Sequence, residues 1–331
     1  EWELASSEGA FTAKSAKVTP QSYRGSAALR ALVVGNILLH VARSGREVRD
    51  LKYDFGADSY GGTDRTILAA HLFEERRITS WTYQPSPDSI IWAACDDGSL
   101  LGMTFQPEHE VYAWHRHHTD GKFLCVCSVP GNDADTLFAV VRRGDRHCLE
   151  VLAPRMRNQD VASSVHLDCA MQYRGAAVTS LSGLEHLEGR KVGILADGAV
   201  QAEREVKGGK ITLDGPASVV TVGLPYTADL ETMPVEVAGE GGSSVGRKKY
   251  ISAVNVLFRD TVTAKIGCSF SRLEEKPWRT VEPYGSPPGL YSGAHRVTVP
   301  ERARNMAGVC VRSDAPLPMT ILAIMPEVEV K

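Results

Sequence analysis

Short, half-apolar segments alternate with turn residues through the first half of the chain. Turns are indicated at residues 85–88, at Asp97-Gly98 and at Pro107-Glu108, and Gly98 tolerates the positive φ that a tight hairpin needs. Between them lie segments rich in β-branched and aromatic residues, which are typical of antiparallel strands: 78–84, 89–95, 99–106 and 110–118. The pattern restarts at residues 123–129, 136–143 and 148–152. Four strands therefore occupy ~45 residues, the length of one β-propeller blade.

Residues 31–54 show the same strand and turn pattern, and a polar loop at 56–65 follows them. One segment, residues 66–77, has helical periodicity instead, with Ile67, Leu68, Leu72 and Phe73 on its apolar side. Thr63 or Asp64 can accept hydrogen bonds from the free amides at its start. We expect this short helix to be an insertion between blades.

The character of the sequence changes near residue 155. Residues 155–175 are polar and look irregular, and a second β region begins near residue 180. Hairpins are indicated at Asp197-Gly198 and Gly208-Gly209, and residues 239–246 are typical of a flexible loop. Further strands are predicted at 191–196, 200–203, 217–224, 226–237, 250–268, 295–300 and 307–325.

These patterns predict an all-β protein of two domains. Residues 1–155 should form partial β-propeller-like antiparallel blades with one short helix near 66–77. Residues 156–331 should form a β-sandwich or small barrel with long loops. The length of 331 residues is compatible with two domains.

Composition excludes some classes of function. The formal net charge is −3, so the chain lacks the cationic excess with which proteins grip polyanions. No apolar run approaches the ~20 residues that cross a bilayer, and no signal peptide is evident. The seven cysteines are odd in number, and we expect reduced, mostly buried thiols in a protein made in a cytoplasm. The start Glu1-Trp2-Glu3 is typical of a fragment or processed product.

A histidine-rich strand is the densest cluster of side chains that could bind a metal or act in catalysis. On a strand, His115 and His117 share one face and His118 lies on the other. Two histidines at this spacing can ligate zinc if a third ligand joins them, and His109 and Asp120 are nearby in sequence. The alternative is that these imidazoles bond to neighbouring backbone or line an interface, and we favour it.

The glycine-rich stretch 241–246 has the glycine spacing of a phosphate-binding loop. Arg247 and Lys248 stand where that motif requires Lys and Ser or Thr, and a strand-like segment follows instead of a helix. We therefore interpret the stretch as a loop between strands. The cations of two short basic runs are interpreted as solvated surface charges: Arg247, Lys248 and Lys249, then Arg142, Arg143 and Arg146.

No residue is singled out as catalytic, and no cofactor or metal is predicted. The neighbouring acids Asp96-Asp97 and Glu74-Glu75 fall at a turn and a helix end. Consecutive side chains on a strand point to opposite faces, so such pairs are poor partners for acid–base catalysis. We expect a protein that is not an enzyme.

Four segments carry a resemblance to a known family: 45–73, 83–123, 182–200 and 211–234. The second, YQPSPDSIIWAACDDGSLLGMTFQPEHEVYAWHRHHTDGKF, is the most specific because it is long and unusual in composition. Together with residues 282–293, they resemble the tail nozzle, or tail tubular B-like, proteins of short-tailed bacteriophages and prophages. These are also called packaged-DNA stabilisation proteins. The third and fourth segments resemble a small β domain found in ubiquitin-activating enzymes, a likeness of fold alone.

The resemblance implies a structural virion protein that is made in the bacterial cytoplasm and resides in the phage tail. It implies self-association into a ring, hexameric in the full-length protein, with the portal or adaptor and distal tail proteins as further partners. DNA would pass through the channel without sequence-specific binding, and no membrane insertion is implied. Such proteins are usually longer, so we expect residues 1–155 to belong to a longer propeller region.

Two alternative functions belong to other classes. A propeller module could bind a receptor or glycan, and exposed aromatic residues such as Trp92 or Trp114 in a pocket would favour that function. A metal-dependent hydrolase built on His115 and His117 is the other alternative, and it would need a third ligand.

Overall fold

The computed structural model describes residues 1–6, 9–56, 58–156, 158–239, 242–279, 281–283, 286–299 and 305–330. Strands make up 55% of the chain and helix 4%, so the prediction of an all-β protein is confirmed. The chain divides into two compact units: unit 1, Glu1–Leu152, and unit 2, Ala153–Lys331.

Unit 1 contains a two-stranded ribbon and three antiparallel meander sheets. The ribbon pairs β1 (Trp2–Ser6) with β2 (Ala16–Pro20). Blade 1 is formed, in order, by β3 (Leu32–Val34), β4 (Ile37–Val41), β5 (Val48–Asp54) and β6 (Ser59–Gly61). Blade 2 contains β7 (Ile78–Gln84), β8 (Ile90–Cys95), β9 (Leu100–Gln106) and β10 (Val111–His117). Blade 3 contains β11 (Lys122–Val129), β12 (Thr136–Arg143) and β13 (Arg146–Val151).

Blade 2 is buried on both faces. All six residues of β8 are buried, because alternate side chains enter two different cores. One core, shared with blade 1, contains Ile91, Ala93 and Cys95. The other core, shared with blade 3, contains Ile90, Trp92 and Ala94. This arrangement explains why every residue of β8 is apolar.

Indole N–H groups tie blade 2 to blade 1. Trp81 Nε1 donates to the carbonyl oxygen of Arg30 and Trp114 Nε1 to that of Arg65, each at 2.7 Å. The Arg65 guanidinium lies 3.9 Å from the centre of the Tyr112 ring and donates through Nε to Asp50 Oδ2 at 2.8 Å. Arg65 therefore links the two sheets through its backbone, its charge and its stacking.

Blades 2 and 3 are joined at their first strands. The amides of Val126 and Ser128 in β11 donate to the hydroxyls of Ser80 (3.2 Å) and Thr82 (3.3 Å) in β7. These hydroxyls satisfy backbone donors that an edge strand would otherwise expose.

The predicted helix at 66–77 is shorter than expected. It is a 3-10 helix over Ile67–Leu72, with non-helical dihedrals at Ala69, and Asp64 Oδ1 accepts the Thr66 amide at 2.8 Å. Leu72 and Phe73 are buried as predicted, whereas Ile67 and Leu68 are exposed, so that part of the apolar side was wrong. A six-residue segment closes too few backbone bonds to hold an α-helix, and its anchoring residues set its conformation instead.

Unit 2 begins with a four-stranded sheet in the order β14-β17-β15-β16. Its strands are β14 (Asp168–Ser182), β15 (Lys191–Ala196), β16 (Ala199–Glu205) and β17 (Lys210–Leu224). The prediction of irregular structure over 155–175 was wrong from Asp168 onward. β14 pairs with β17 through three register shifts, which break the simple apolar alternation that marks a strand.

The rest of unit 2 contains two larger sheets that share a core. One sheet has the order β18-β25-β22-β23, and the other has the order β24-β21-β26. Their strands are β18 (Ala228–Glu231), β21 (Lys249–Thr261), β22 (Lys265–Ser269), β23 (Arg272–Glu275), β24 (Tyr291–Thr298), β25 (Cys310–Ser313) and β26 (Ile321–Val330). Residues such as Val254, Phe258, Ile266 and Val311 fill the space between them. This packing is that of a sandwich, and over the described part of the chain no sheet closes into a barrel.

Two predicted boundaries in this region were wrong. The strand expected at 226–237 is confined to Ala228–Glu231. The loop expected at 239–246 contains a short hairpin of β19 (Ala238–Gly239) and β20 (Gly242–Ser243), and residues 240 and 241 lie outside the described residues.

Replacing the buried carboxylate of Asp50 tests the tie between blades 1 and 2. Asp50→Ala removes the acceptor for Arg65 and for the Thr63 amide, leaving a largely buried cation unpaired. We expect the free energy of unfolding to fall by about 3 kcal/mol, measured by denaturant titration. The control Asp133→Ala, at an exposed loop position, should change it by less than about 0.5 kcal/mol. Equal effects of the two variants would contradict the linking role of Arg65.

The carboxylate of Glu327, on the edge strand β26, should make the stability of the protein depend on pH. Hydrogen bonds from Arg296 and Asn255 lower the pKa of Glu327 to about 2. Its stabilising effect is therefore complete above the ordinary pKa near 4.5 and is lost as the pH falls through about 2. We expect Glu327→Gln to lower the thermal midpoint at neutral pH and to match the parent near pH 2.

The matched control for this experiment is Glu329→Gln on the same strand. It should show no such pH-dependent difference from the parent. A Glu327→Gln effect that is constant between pH 7 and pH 2 would show that the carboxylate charge is not responsible.

Candidate functional site

The histidine cluster lies on the side of blade 2 that faces blade 3. The rings of His115 and His117 share one face of β10, with centroids 5.0 Å apart, as predicted from their spacing. Both rings pack against Trp92, at 5.6 Å and 5.2 Å between centroids. Gly102, opposite His115 in the register, leaves the space for this imidazole, since a Cβ there would overlap it.

The proposed additional ligands do not join this pair. His109 lies in a 3-10 helix before β10, whereas Asp120 follows the other end of the strand. Among the residues that the structure describes, no group of three or more His, Cys, Asp or Glu side chains is placed to hold a metal ion. The geometry of His115 and His117 is that of an aromatic cluster around Trp92.

The two tryptophans considered for glycan binding have their rings packed against other side chains of unit 1. Trp92 is buried, and its Nε1 donates to Gln84 Oε1 at 2.7 Å. Gln84 Nε2 in turn donates to the carbonyl oxygen of Asp135 at 2.7 Å. The two hydrogen bonds link Trp92 through Gln84 to the loop before β12. Trp114 packs edge-on against Phe73, with centroids 4.8 Å apart. Both indoles contribute to the joints between blades.

A nucleophile motif in the glycine-rich stretch was missed by the sequence analysis. Residues 242–246 read Gly-Ser-Ser-Val-Gly and match Gly-x-Ser-x-Gly, with Ser244 in the position of the nucleophile. Ser244 is buried, donates to Glu236 Oε2 at 2.8 Å and accepts the Val237 amide at 2.9 Å. The strand β21 follows it instead of a helix. Because a nucleophile elbow needs an exposed hydroxyl before a helix, the match is not an elbow.

The same carboxylate pairs with a buried lysine. Lys249 is 0% exposed, and its Nζ donates to Glu236 Oε1 at 2.9 Å and to the carbonyl oxygen of Asn305 at 3.2 Å. Hydrogen bonds from Lys249 and Ser244 lower the pKa of Glu236. Lys249 was interpreted as a solvated surface charge, and this was wrong. The cation closes the base of the β19–β20 hairpin.

Arg143 was also wrongly interpreted as a solvated charge. It makes a two-pronged ion pair with Glu150, at 2.5 Å and 2.7 Å, across the β12–β13 hairpin. Its side chain is largely buried by this pairing. Arg142 and Arg146 remain exposed.

The neighbouring acids at the β8–β9 turn have structural partners. Burial acts to raise the pKa of Asp97, but hydrogen bonds from Ser99 and Arg76 outweigh it and hold that pKa below its ordinary value. Arg76 Nε lies 2.6 Å from Asp97 Oδ2. Asp96 Oδ1 accepts the Arg77 amide at 3.0 Å. Both carboxylates fix the turn.

All seven cysteines are free thiols, but the expectation that most are buried was wrong. Only Cys95 and Cys310 are buried, and burial raises the pKa of Cys95 to about 12, which makes its thiol unreactive. Cys125 and Cys127 are exposed on one face of β11. The outward orientation of that face was not readable from sequence, because it depends on which side of blade 3 covers blade 2.

A surface cleft of about 770 Å³ lies within unit 2. Three carboxylates line it, and each already has local partners. Asp197 accepts the Ser218 and Val219 amides, Asp260 accepts Gln159 Nε2, and the Ser163 side chain and amide lower the pKa of Asp160. These bonds shape the loops around the cleft.

No protein-family model matches the sequence, and no curated protein sequence matches it. Within the described residues, no helix has the length and apolar character to cross a membrane.

The pairing of Lys249 with Glu236 gives a test of the structural role of this cluster. Glu236→Ala leaves a buried ammonium without its counter-charge, whereas Lys249→Met removes the charge and keeps the volume. We expect Glu236→Ala to lower the thermal midpoint more than Lys249→Met does.

The double variant Glu236→Ala/Lys249→Met should recover part of the loss, since it contains no buried charge. The exposed neighbour Lys248→Met serves as the control and should behave like the parent. If Lys249→Met lowers the thermal midpoint more than Glu236→Ala does, an unpaired buried charge is not the main cause of the lost stability.

Proposed function

We propose that this chain is a structural protein of a virus particle, the tail nozzle of a short-tailed bacteriophage. It forms part of a ring that continues the DNA channel and helps retain the packaged genome. The partners proposed for it are further copies of itself, portal or adaptor proteins and distal tail proteins.

The observation that carries the proposal is the position of its most specific segment of resemblance. Residues 83–123 contain most of blade 2, the sheet that is buried on both faces between blades 1 and 3. A nozzle has to resist internal pressure. Sheets that bury one another's faces and are joined by hydrogen bonds suit such a mechanical load.

The chemistry of the titratable clusters also supports a structural role. Asp50, Asp97, Glu150 and Glu236 each pair with a cation in hydrogen bonds that fix a turn or a joint between sheets. The formal net charge of −3 suits a channel wall, because cation clusters would release counterions and hold DNA in place.

Electron microscopy of phage particles with a gold-labelled antibody against the chain tests the proposal. We expect label at the tail and closed rings in preparations of the full-length protein, because a conduit needs a closed cyclic assembly. The control is the same antibody absorbed with purified chain. Absence of label from every particle, together with absence of rings at any concentration, would refute the nozzle function.

A further inference from the structure

Two exposed thiols share one face of β11. Cys125 is opposite Val140 in the register, Cys127 is opposite Phe138, and the pairing between these positions is regular. Val126, which lies between the two cysteines, points into the core with blade 2, so both thiols point to the other side of the sheet. Both are exposed and free. The side of blade 3 that faces away from blade 2, called here the outer face of blade 3, therefore presents two thiols side by side.

The spacing of the two cysteines suits a bridge through one atom better than a direct disulfide. Alternate residues of a strand lie about 6.6–6.8 Å apart. The β-carbons of a disulfide lie only about 3.5–4.5 Å apart, so these two sulfurs do not bond to each other unless the backbone moves. Two collinear metal–sulfur bonds of ~2.3 Å span about 4.6 Å, which the sulfurs reach by rotation about their Cα–Cβ bonds. One metal ion can therefore bridge the pair.

The surroundings of the pair select the kind of ion. Across the sheet, the neighbours of the two thiols on the outer face are apolar: Val140, Leu149, Phe138 and Val151. Zinc needs four ligands in a tetrahedron, and these neighbours supply no ligand atoms. Thiolates are the ligands that favour Cu(I), and this ion is satisfied by two of them in line. The pair therefore suits Cu(I) better than zinc.

Positive charges lie in the next outward row of the sheet. Lys122 pairs in register with Arg142, which pairs in turn with His147, and all three are exposed. Arg142 is two residues from Val140 and so lies on the same outer face. A Cu(I) ion held by two thiolates carries a net negative charge. Cations along the same face lower the free energy of that charge.

We propose that Cys125 and Cys127 form a two-coordinate thiolate site for Cu(I). On binding, both thiols give up their protons to solvent, two copper–sulfur bonds form, and the copper remains monovalent. The site belongs to blade 3 of unit 1 and does not depend on the proposed role in a virion.

Competition with a coloured chelator measures the binding. The intact, reduced chain is titrated in the absence of oxygen into the complex of Cu(I) with bicinchoninate, whose absorbance falls as the protein removes the metal. We expect the first equivalent of Cu(I) per chain to be withdrawn from the chelator. A chain that leaves the chelator complex intact would overturn the proposal.

Single replacements test whether both thiols are ligands. Cys125→Ser and Cys127→Ser should each weaken Cu(I) binding by about a hundredfold or more, because the remaining thiolate loses its chelating partner. Both positions are exposed, so the circular dichroism spectrum should not change. The matched control is Cys148→Ser in the same sheet, whose side chain lies with buried Val141 on the other face. An equal loss in Cys148→Ser would show that the metal binds thiols in general and would overturn the site.

Moving one thiol to the other face tests the geometry. The double variant Cys127→Ser/Ser128→Cys keeps the number of thiols but places the second one on the side of blade 2. We expect it to lose as much affinity as Cys127→Ser alone. If it binds Cu(I) as tightly as the parent, the shared face does not hold the metal and the proposal is wrong.

The choice of metal is tested by zinc competition and by X-ray absorption at the copper edge. We expect an excess of Zn²⁺ to leave Cu(I) in place, and the copper to have two sulfur neighbours. Displacement by zinc, or further nitrogen or oxygen neighbours, would show that other side chains complete a different site.

The row of cations is tested by removing one charge. Arg142→Gln should weaken Cu(I) binding by about threefold at low ionic strength, and the difference should shrink as salt is added. The control Arg146→Gln is in the same hairpin, at a position that alternates to the other face. Equal effects of the two variants would contradict the contribution of the outward charges.

Discussion

The structure of unit 1 depends on burying both faces of blade 2 while each of its indole N–H groups keeps a hydrogen-bond acceptor. Three tryptophans enter the joints of this blade, and each brings an indole N–H that loses water on burial. Trp81 and Trp114 donate to carbonyl oxygens of residues 30 and 65, and Trp92 donates to Gln84. Dry packing and directional bonds therefore act at the same joints, which fixes the relative positions of the sheets more firmly than apolar contact alone.

The clusters whose side chains resemble catalytic or metal-binding groups also stabilise the fold. Ser244, Glu236 and Lys249 contain the groups from which hydrolases are built, yet the hydroxyl is buried and the lysine closes a hairpin. His115 and His117 surround an indole. In the Ser244 cluster, the neighbouring residues satisfy the polar atoms that a reaction would have to use. This structural use of polar groups supports the proposed mechanical function.

The sequence by itself determined the strands of blades 2 and 3, because Asp97-Gly98 and similar turns punctuate β-branched segments at short range. It also placed His115 and His117 on one face, since strand periodicity is a local property. It did not reveal β14, whose register shifts remove the alternation, or the burial of Lys249 and the exposure of Cys125. Only the tertiary structure decided those features, because whether a side chain is buried depends on which distant sheet covers it and which counter-charge meets it there.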